Sequence, residues 1–376
     1  MSDPEAVTAP RRVGLIGYGL AGSVFHAPLI AATDGLLLDT VSTRSPQRQA
    51  QARAEHPQVR TVATAEEVLD RATAGALDLI VVASPNKTHV PLATAALEAG
   101  VAVVVDKPLA ATAAEAEALA ALADHRGLLL SVFQNRRWDN DFRTVRQLVA
   151  DGALGEVQRF ESRFERWRPQ PKGGWRESGD PIELGGLLYD LGSHLVDQAL
   201  TLFGPAISVY AESDIRRPGA EADDDTFFAL THAGGVRSHL WVSATTAQLG
   251  PRFRVLGSRA GYVKYGLDPQ EAALRAGLRP GTEGDAWGVE PASHWGRLGA
   301  EGDAPAPGTE SPGTPSPGAG QPVPTLPGAY PAYYTAVARA LRDGGAPPVS
   351  ATEAAATLRV LEAARRSATE GRTVSL

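Results

Sequence analysis

The chain has 376 residues, with 43% hydrophobic residues, 21% charged residues and a net charge of -7. This length predicts two domains of ordinary size, and the acidic balance gives no cationic field for nucleic acid or anionic lipid, so a small molecule is the expected partner. The complete lack of cysteine excludes disulfides, thiolate nucleophiles and cysteine-bound zinc; no metal is expected, and catalysis falls to Lys, His, Asp, Glu, Tyr, Arg or an organic cofactor.

The opening "MSDPEAVTAPRR" carries no apolar segment of the kind a secretory signal needs. The longest apolar runs, "LDLIVVAS" and "VAVVVD", suit buried strands and fall short of the ~18 residues that cross a bilayer. A cytoplasmic protein with no membrane contact is expected. From residue 10 to 134 the runs "RVGLIG", "LLLDTVST", "LDLIVVAS", "VAVVVDKP" and "GLLLSVFQ" alternate with helix-like stretches around 46 to 55, 65 to 73, 88 to 99 and 112 to 125. Continuous apolar strands separated by helices predict an α/β domain, a doubly wound parallel sheet covered on both faces.

From 135 to 376 the pattern predicts an α+β domain. "VQRFESRFERW" alternates, with Phe160, Ser162 and Phe164 on one side and Arg159, Glu161, Arg163 and Glu165 on the other, as in a strand with one covered and one polar face. "AISVYAESD", "DTFFALTH", "GVRSHLWVSAT", "RFRVLGS" and "GYVKYG" continue an open, mainly antiparallel sheet. Such a sheet leaves a face and edges to cover, and a second copy of the chain is the natural cover, so a homodimer or homotetramer is expected. Residues 301 to 328 form a Pro/Gly/Ser-rich excursion, expected to be mobile and either a lid or a tolerated insertion. Two helices end the chain.

Gly17, Gly19 and Gly22 in "VGLIGYGLAGSVF" follow the first strand in G-x-G-x-x-G spacing. They supply a tight turn, close approach to a pyrophosphate, and close helix packing. The helix that follows offers N–H groups and a partial positive charge to the phosphates. At the tip of the second strand, "LLLDTVSTRSP" places Ser42, Thr43 and Arg44, which suit the 2'-phosphate of NADP. Asp39 is the rival, favouring NAD if the strand ends early. Lys107, followed by Pro108, ends the fifth strand, where ligands of open α/β sheets bind, and its amine suits a substrate hydroxyl and the alkoxide that forms from it. In "LYDLGSHLVDQAL", Asp190 and His194 stand four residues apart. They are either part of the wet side of an amphipathic helix, with Asp197, or a functional pair.

In order along the chain, "GYGLAGSVFHAP", "SPNKTHVPLA", "DKPLA", "QNRRWDNDF", "GWRE", "YDLGSHLVDQ" and "VKYGLDPQEAALRAG" resemble the Gfo/Idh/MocA family of nicotinamide-dependent oxidoreductases. Within it, "NRRWDNDF" and "YDLGSH" are similar to the NADP-dependent scyllo-inositol 2-dehydrogenases. The resemblance implies a Rossmann domain joined to an open-sheet domain, with Lys107, Asp190 and His194 as the catalytic group. It implies Pro85, Asn86, His89 and Pro108 along the cofactor, and Asn135, Arg136, Trp175 and Arg176 around nicotinamide and substrate. Asp106 departs from the family's usual glutamate, and the excursion after 300 is longer than expected. In this reading His194 takes the hydroxyl proton, Asp190 orients substrate or imidazole, and hydride passes to the cofactor. The expected activity is NADP-dependent oxidation of an inositol-like polyol, reversible with the keto form. An aldose 1-dehydrogenase uses the same residues. A dinucleotide-sensing regulator has no need of Lys107, Asp190 and His194 together.

Overall fold

The computed structural model describes residues 9–171, 173–174, 177–180, 184–300 and 320–376. Trp175, Arg176 and residues 301–319 lie outside the described residues. The first half builds a six-stranded sheet from β1 (Arg11–Ile16), β2 (Leu36–Ser42), β3 (Arg60–Val62), β4 (Leu79–Val82), β5 (Ala102–Asp106) and β6 (Leu130–Phe133). Its order is β3-β2-β1-β4-β5-β6, and every pairing is parallel. Helices α1 (Ala27–Ala31), α2 (Pro46–Glu55), α3 (Ala65–Thr73), α4 (His89–Glu98) and α5 (Ala113–Arg126) connect the strands. Thr64 and Thr112 each start a helix by accepting a backbone N–H while Glu67 and Glu115 reach back to the cap, which satisfies donors that a helix start leaves open. Between β1 and β4 the strand order reverses, and the segments after β1, β4, β5 and β6 open on one crevice at the carboxyl ends of the strands.

The second half follows α6 (Asn140–Ala150) with β7 (Val157–Glu165), α7 (Ser193–Phe203), β8 (Ala206–Asp214), β9 (Asp225–His232), β10 (Arg237–Ser243), β11 (Phe253–Gly257) and β12 (Gly261–Lys264). After short helices α8 (Gln270–Arg275) and α9 (Pro280–Glu283) come β13 (Gly296–Gly299), β14 (Gln321–Val323), α10 (Pro331–Asp343), α11 (Ala351–Glu370) and β15 (Val374–Ser375). The sheet has nine strands in the order β14-β13-β12-β11-β7-β10-β9-β8-β15; β7 and β10 run parallel and the other described pairings are antiparallel. Its inner face carries Phe160, Phe164, Phe228, Leu240 and Val255, all buried. The other face presents Phe227, His239 and Trp241 as a ring cluster, with the Arg163 guanidinium 3.9 Å from the Trp241 ring centre.

Three sequence expectations change. Glu161, expected on a polar face, is only 6% exposed, because Arg159, Arg163 and Arg254 close over it at 3.0, 3.0 and 3.3 Å. The excursion is not loose to its end: Gln321–Val323 pairs as β14 against β13, Leu326 donates its N–H to Thr144 Oγ1, and Gly328 donates to the Gly288 carbonyl. The edge strands β3, β14 and β15, and β13 beside β14, add to those expected. The two sheets also share their helical cover. Val132 of β6 donates to the Val349 carbonyl, and α11 packs against α5 on one side and α7 and β8 on the other. No described helix is long and apolar enough to cross a membrane.

Candidate active site

The glycine loop begins where β1 ends. Gly17 has φ +100°, and a Cβ there would lie 2.5 Å from the Ala83 carbonyl oxygen; at Gly22 it would lie 2.0 Å from the Gly17 carbonyl. Neither position accepts a side chain. Gly19 is different, because the Arg48 Nη1 at 4.0 Å is all that a Cβ would meet. The space over Gly19 is therefore a cradle that an added methyl would fill, as a bound pyrophosphate requires. The helix after the loop opens as a π-helical turn, Ala21–His26.

At the end of β2, Ser42 is buried, Thr43 is half-buried and Arg44 is exposed. Asp39 lies within the strand and its carboxylate accepts from Arg71 at 2.7 Å and from Thr40 at 2.5 Å, so it is spent on a partner away from the tip. Arg48, which the sequence reading missed, comes from the first turns of α2 and aims at the glycine loop. After β4, Pro85 and Asn86 lead into a 3-10 turn, Asn86–Thr88. His89 corrects an expectation. It is 1% exposed, with Nδ1 2.7 Å from the Pro108 carbonyl and Nε2 2.9 Å from the Ser84 carbonyl. Both ring nitrogens lie against protein carbonyls of the β4 and β5 loops, so neither is turned toward a dinucleotide.

Lys107 leaves β5 into a cis peptide with Pro108. Its ammonium donates to the Asp190 carboxylate at 2.8 Å and to the Asp190 backbone carbonyl. Asp106 turns back to accept the Lys107 backbone N–H at 2.9 Å. Burial opposes ionisation of Asp106, but His26, His89 and Lys107 outweigh it and hold the carboxyl below its usual range. The short side chain leaves a gap: His26 Nε2 stands 3.9 Å from Asp106 Oδ1 and is buried without a hydrogen bond, while Nδ1 meets the Tyr334 hydroxyl at 2.6 Å.

The helix bearing the pair starts as a π-helical turn, Leu188–Gly192, before continuing as α7. Its polar side is not wet. His194 is 5% exposed and Asp197 2%; Asp197 takes Arg137 in a bidentate pair at 2.8 and 2.6 Å, and Gln198 bridges the Arg136 carbonyl and the Arg252 guanidinium. His194 Nδ1 lies 3.0 Å from Gln134 Oε1, so Nδ1 carries the proton and donates, and Nε2 keeps a free lone pair. Burial first, then Lys107, Arg136 and Arg252, pushes the His194 pKa well below its ordinary value. The expected division of labour is thus corrected: Asp190 holds Lys107, and Gln134, a neutral amide just past β6, holds the imidazole.

Asn135 is buried beside Gln134. Arg136, expected on the substrate, gives its two terminal nitrogens to the Tyr330 hydroxyl at 2.9 Å and to Glu271, while its Nε is buried without an acceptor. Burial works against its charge, but Tyr330, Asp139 and Glu271 raise its pKa well above the ordinary value, and it acts on the site through its field on His194. Among the described residues no group of three or more His, Cys, Asp or Glu side chains is placed to hold a metal ion.

Comparison with known proteins gives the family. Residues 11–134 match the oxidoreductase family with an NAD-binding Rossmann fold, and residues 142–263 match the GFO/IDH/MocA C-terminal domain. The chain is 42% identical to the uncharacterized oxidoreductase YdgJ of Escherichia coli K12, over 97% of this chain and 98% of that one. It is 37% identical to IolW of Bacillus subtilis 168, a scyllo-inositol 2-dehydrogenase (NADP(+)), over 97% and 96%. The solved structure of the oxidoreductase yvaA from Bacillus subtilis superposes with a TM-score of 0.87 at 35% identity, covering 99% of this chain and all of that one. The chain belongs to the Gfo/Idh/MocA family of NAD(P)-dependent oxidoreductases.

Proposed function

We propose that the protein is an NADP-dependent dehydrogenase of an inositol-like polyol, interconverting a ring secondary alcohol and its ketone. The observation that carries this reading is the pairing of a donor and a base on two different domains. Lys107 has three N–H bonds, and Asp190 takes two of them, leaving one for a substrate oxygen. His194, neutral and tautomerically fixed by Gln134, offers Nε2 to the hydroxyl proton. As that proton leaves, Lys107 stabilises the negative charge growing on oxygen. A nicotinamide dinucleotide, which the loop at Gly17, Gly19 and Gly22 would hold, would supply the hydride acceptor for the alcohol carbon and the hydride donor in the reverse direction. In the ketone direction His194 returns the proton to oxygen and Lys107 again holds the developing alkoxide.

NADP is favoured over NAD by the tip of β2. Ser42, Thr43 and Arg44 stand where a 2'-phosphate is expected, Arg48 adds a second guanidinium facing the glycine loop, and Asp39 is held by Arg71. The inositol reading is supported by IolW, whose name gives that activity to a relative 37% identical along nearly the whole chain. The protein is further proposed to pair with a second copy through the outer sheet face bearing Phe227, His239 and Trp241. Replacing Lys107 by methionine tests the chemistry: kcat should fall at least about a hundredfold, as loss of one transition-state donor does, while NADPH binding measured by fluorescence stays near wild type. Near-normal turnover in Lys107→Met removes the lysine from the reaction, and a wild-type protein that binds NADPH without oxidising any polyol favours the sensing regulator.

A further inference from the structure

β7 does not stop making sheet contacts at Glu165. Arg166 donates its N–H to the Ser243 carbonyl at 3.0 Å and accepts from Thr246 at 3.2 Å, and Arg168 donates to Ala244 at 2.8 Å. The two-residue alternation therefore continues, and Arg166 projects to the inner face after Ser162 and Phe164. Phe164 packs its ring 6.3 Å from that of His194. One step further along the strand, about 7 Å, is Arg166; four residues back from His194, in the π-helical turn Leu188–Gly192, is Asp190. Strand and helix advance in step, so that Phe164 faces His194 and Arg166 faces the end of the site where Asp190 holds Lys107.

The charges agree with this placement. Arg166 is within electrostatic reach of Asp190, Glu177, Arg168 and Arg217; burial, followed by Arg168, lowers its pKa from the ordinary arginine value. Its neighbours are otherwise engaged: Lys107 has Asp190, and Arg217 has Asp224 and Glu177. Arg166 Nε, in contrast, is buried with no hydrogen-bond acceptor. A guanidinium drawn out of water with a donor unmet is costly, and the cost is relieved by a ligand that brings oxygens. Its planar fork suits two adjacent oxygens, which is how vicinal hydroxyls are spaced on a polyol ring.

We propose that Arg166 is a substrate-binding residue, its guanidinium donating to a vicinal pair of ring hydroxyls beside the carbon served by Lys107 and His194. The assignment rests on the polyol reading above. It places one cation outside the catalytic group in charge of how firmly the ring is held, and it leaves the cofactor alone.

The test compares wild type, Arg166→Met and Arg166→Lys with scyllo-inositol and with D-glucose as probes, at saturating NADP+, alongside NADPH affinity by fluorescence titration. Arg166→Met should raise the KM of the better probe about tenfold or more, change kcat less, and leave the NADPH Kd within about twofold; Arg166→Lys should recover part of the KM. A deoxy analogue of the better probe that lacks the contacted hydroxyl should bring wild type and Arg166→Met together. An unchanged KM with an active wild type overturns the role of Arg166 alone. Equal losses in polyol and NADPH affinity overturn it as well, assigning the residue to fold or cofactor. A wild-type protein that turns over neither probe defeats the polyol reading and this assignment with it. Should Arg166→Met not fold, the KM of Arg166→Lys, expected between wild type and a tenfold rise, decides the matter by itself.

Discussion

A buried imidazole stays neutral only where its surroundings disfavour the extra proton, and the charges acting on His194 are all of that kind. Lys107, Arg136 and Arg252 join burial in holding its pKa well below the ordinary value, and Gln134 accepts from Nδ1. The base form is thus present at pH values where a solvent-exposed histidine, with pKa near 6.5, is largely protonated. The sign follows: because the shift is downward, the rate of alcohol oxidation should stay level as pH falls through about 6.5 and bend only at lower pH. Replacing Gln134 by leucine leaves the Nδ1 donor buried and unmet, and kcat should drop about tenfold or more, with NADPH affinity retained. A pH–rate profile for wild type and Gln134→Leu checks both; an acid limb centred near 6.5 in the wild type would remove His194 as the pre-formed base. Gln134 was not legible as a functional residue in the sequence, since a neutral amide at a strand end has neither charge nor spacing to distinguish it. Lys107 could be singled out as a candidate because ligands of open α/β sheets bind at the carboxyl ends of the strands, whereas the grouping of Lys107 with Asp190 and His194 came from the family resemblance, since their spacing alone also fits the wet side of a helix.

Among the elements, the glycine loop separates folding from binding. Gly22→Ala puts a methyl 2.0 Å from a backbone oxygen and should cost folded protein outright. Gly19→Ala meets nothing nearer than the end of Arg48, so thermal stability should hold while NADPH affinity falls, because the methyl occupies the pyrophosphate cradle. Melting curves with and without NADPH measure both; loss of stability in Gly19→Ala would mean that the loop is packed rather than open. The parallel strands were readable because β1, β4 and β5 carry continuous apolar runs, "VGLI", "LIVV" and "AVVV", as sheets buried on both faces require. β3, "RTV", and the two-residue β15 are too short to show a period, β13 is glycine-containing, and β14 is a proline-containing edge strand. The π-helical turn at Leu188–Gly192 was also hidden: four-residue spacing reads as one face of an α-helix, whereas the observed helix sends Asp190 to Lys107 and His194 to Gln134.

At the scale of the whole molecule, the site exists because two sheets share one helical cover, with α11 packed against both halves and the C-terminal segment at Val349 bonded to the edge of β6. That arrangement brings Lys107, from the first sheet, to Asp190, from the second half. The outer face of the nine-stranded sheet is where a second copy is proposed to sit. Trp241→Glu, which puts a carboxylate beside Phe227 and takes the ring from under Arg163, should shift the protein toward monomer in analytical ultracentrifugation; an unchanged sedimentation coefficient would move the interface elsewhere. The central claim, that this molecule oxidises an inositol-like polyol with NADP, is tested most directly by steady-state kinetics on a panel of inositols, aldoses and linear polyols with NADP+ and NAD+, and of the matching ketones with NADPH. A site that hydrogen-bonds several hydroxyls discriminates sharply against analogues that lack them. The highest kcat/KM is expected for an inositol or its inosose with the NADP couple; an aldose ahead of both, or equal efficiency with NAD+, would contradict the account.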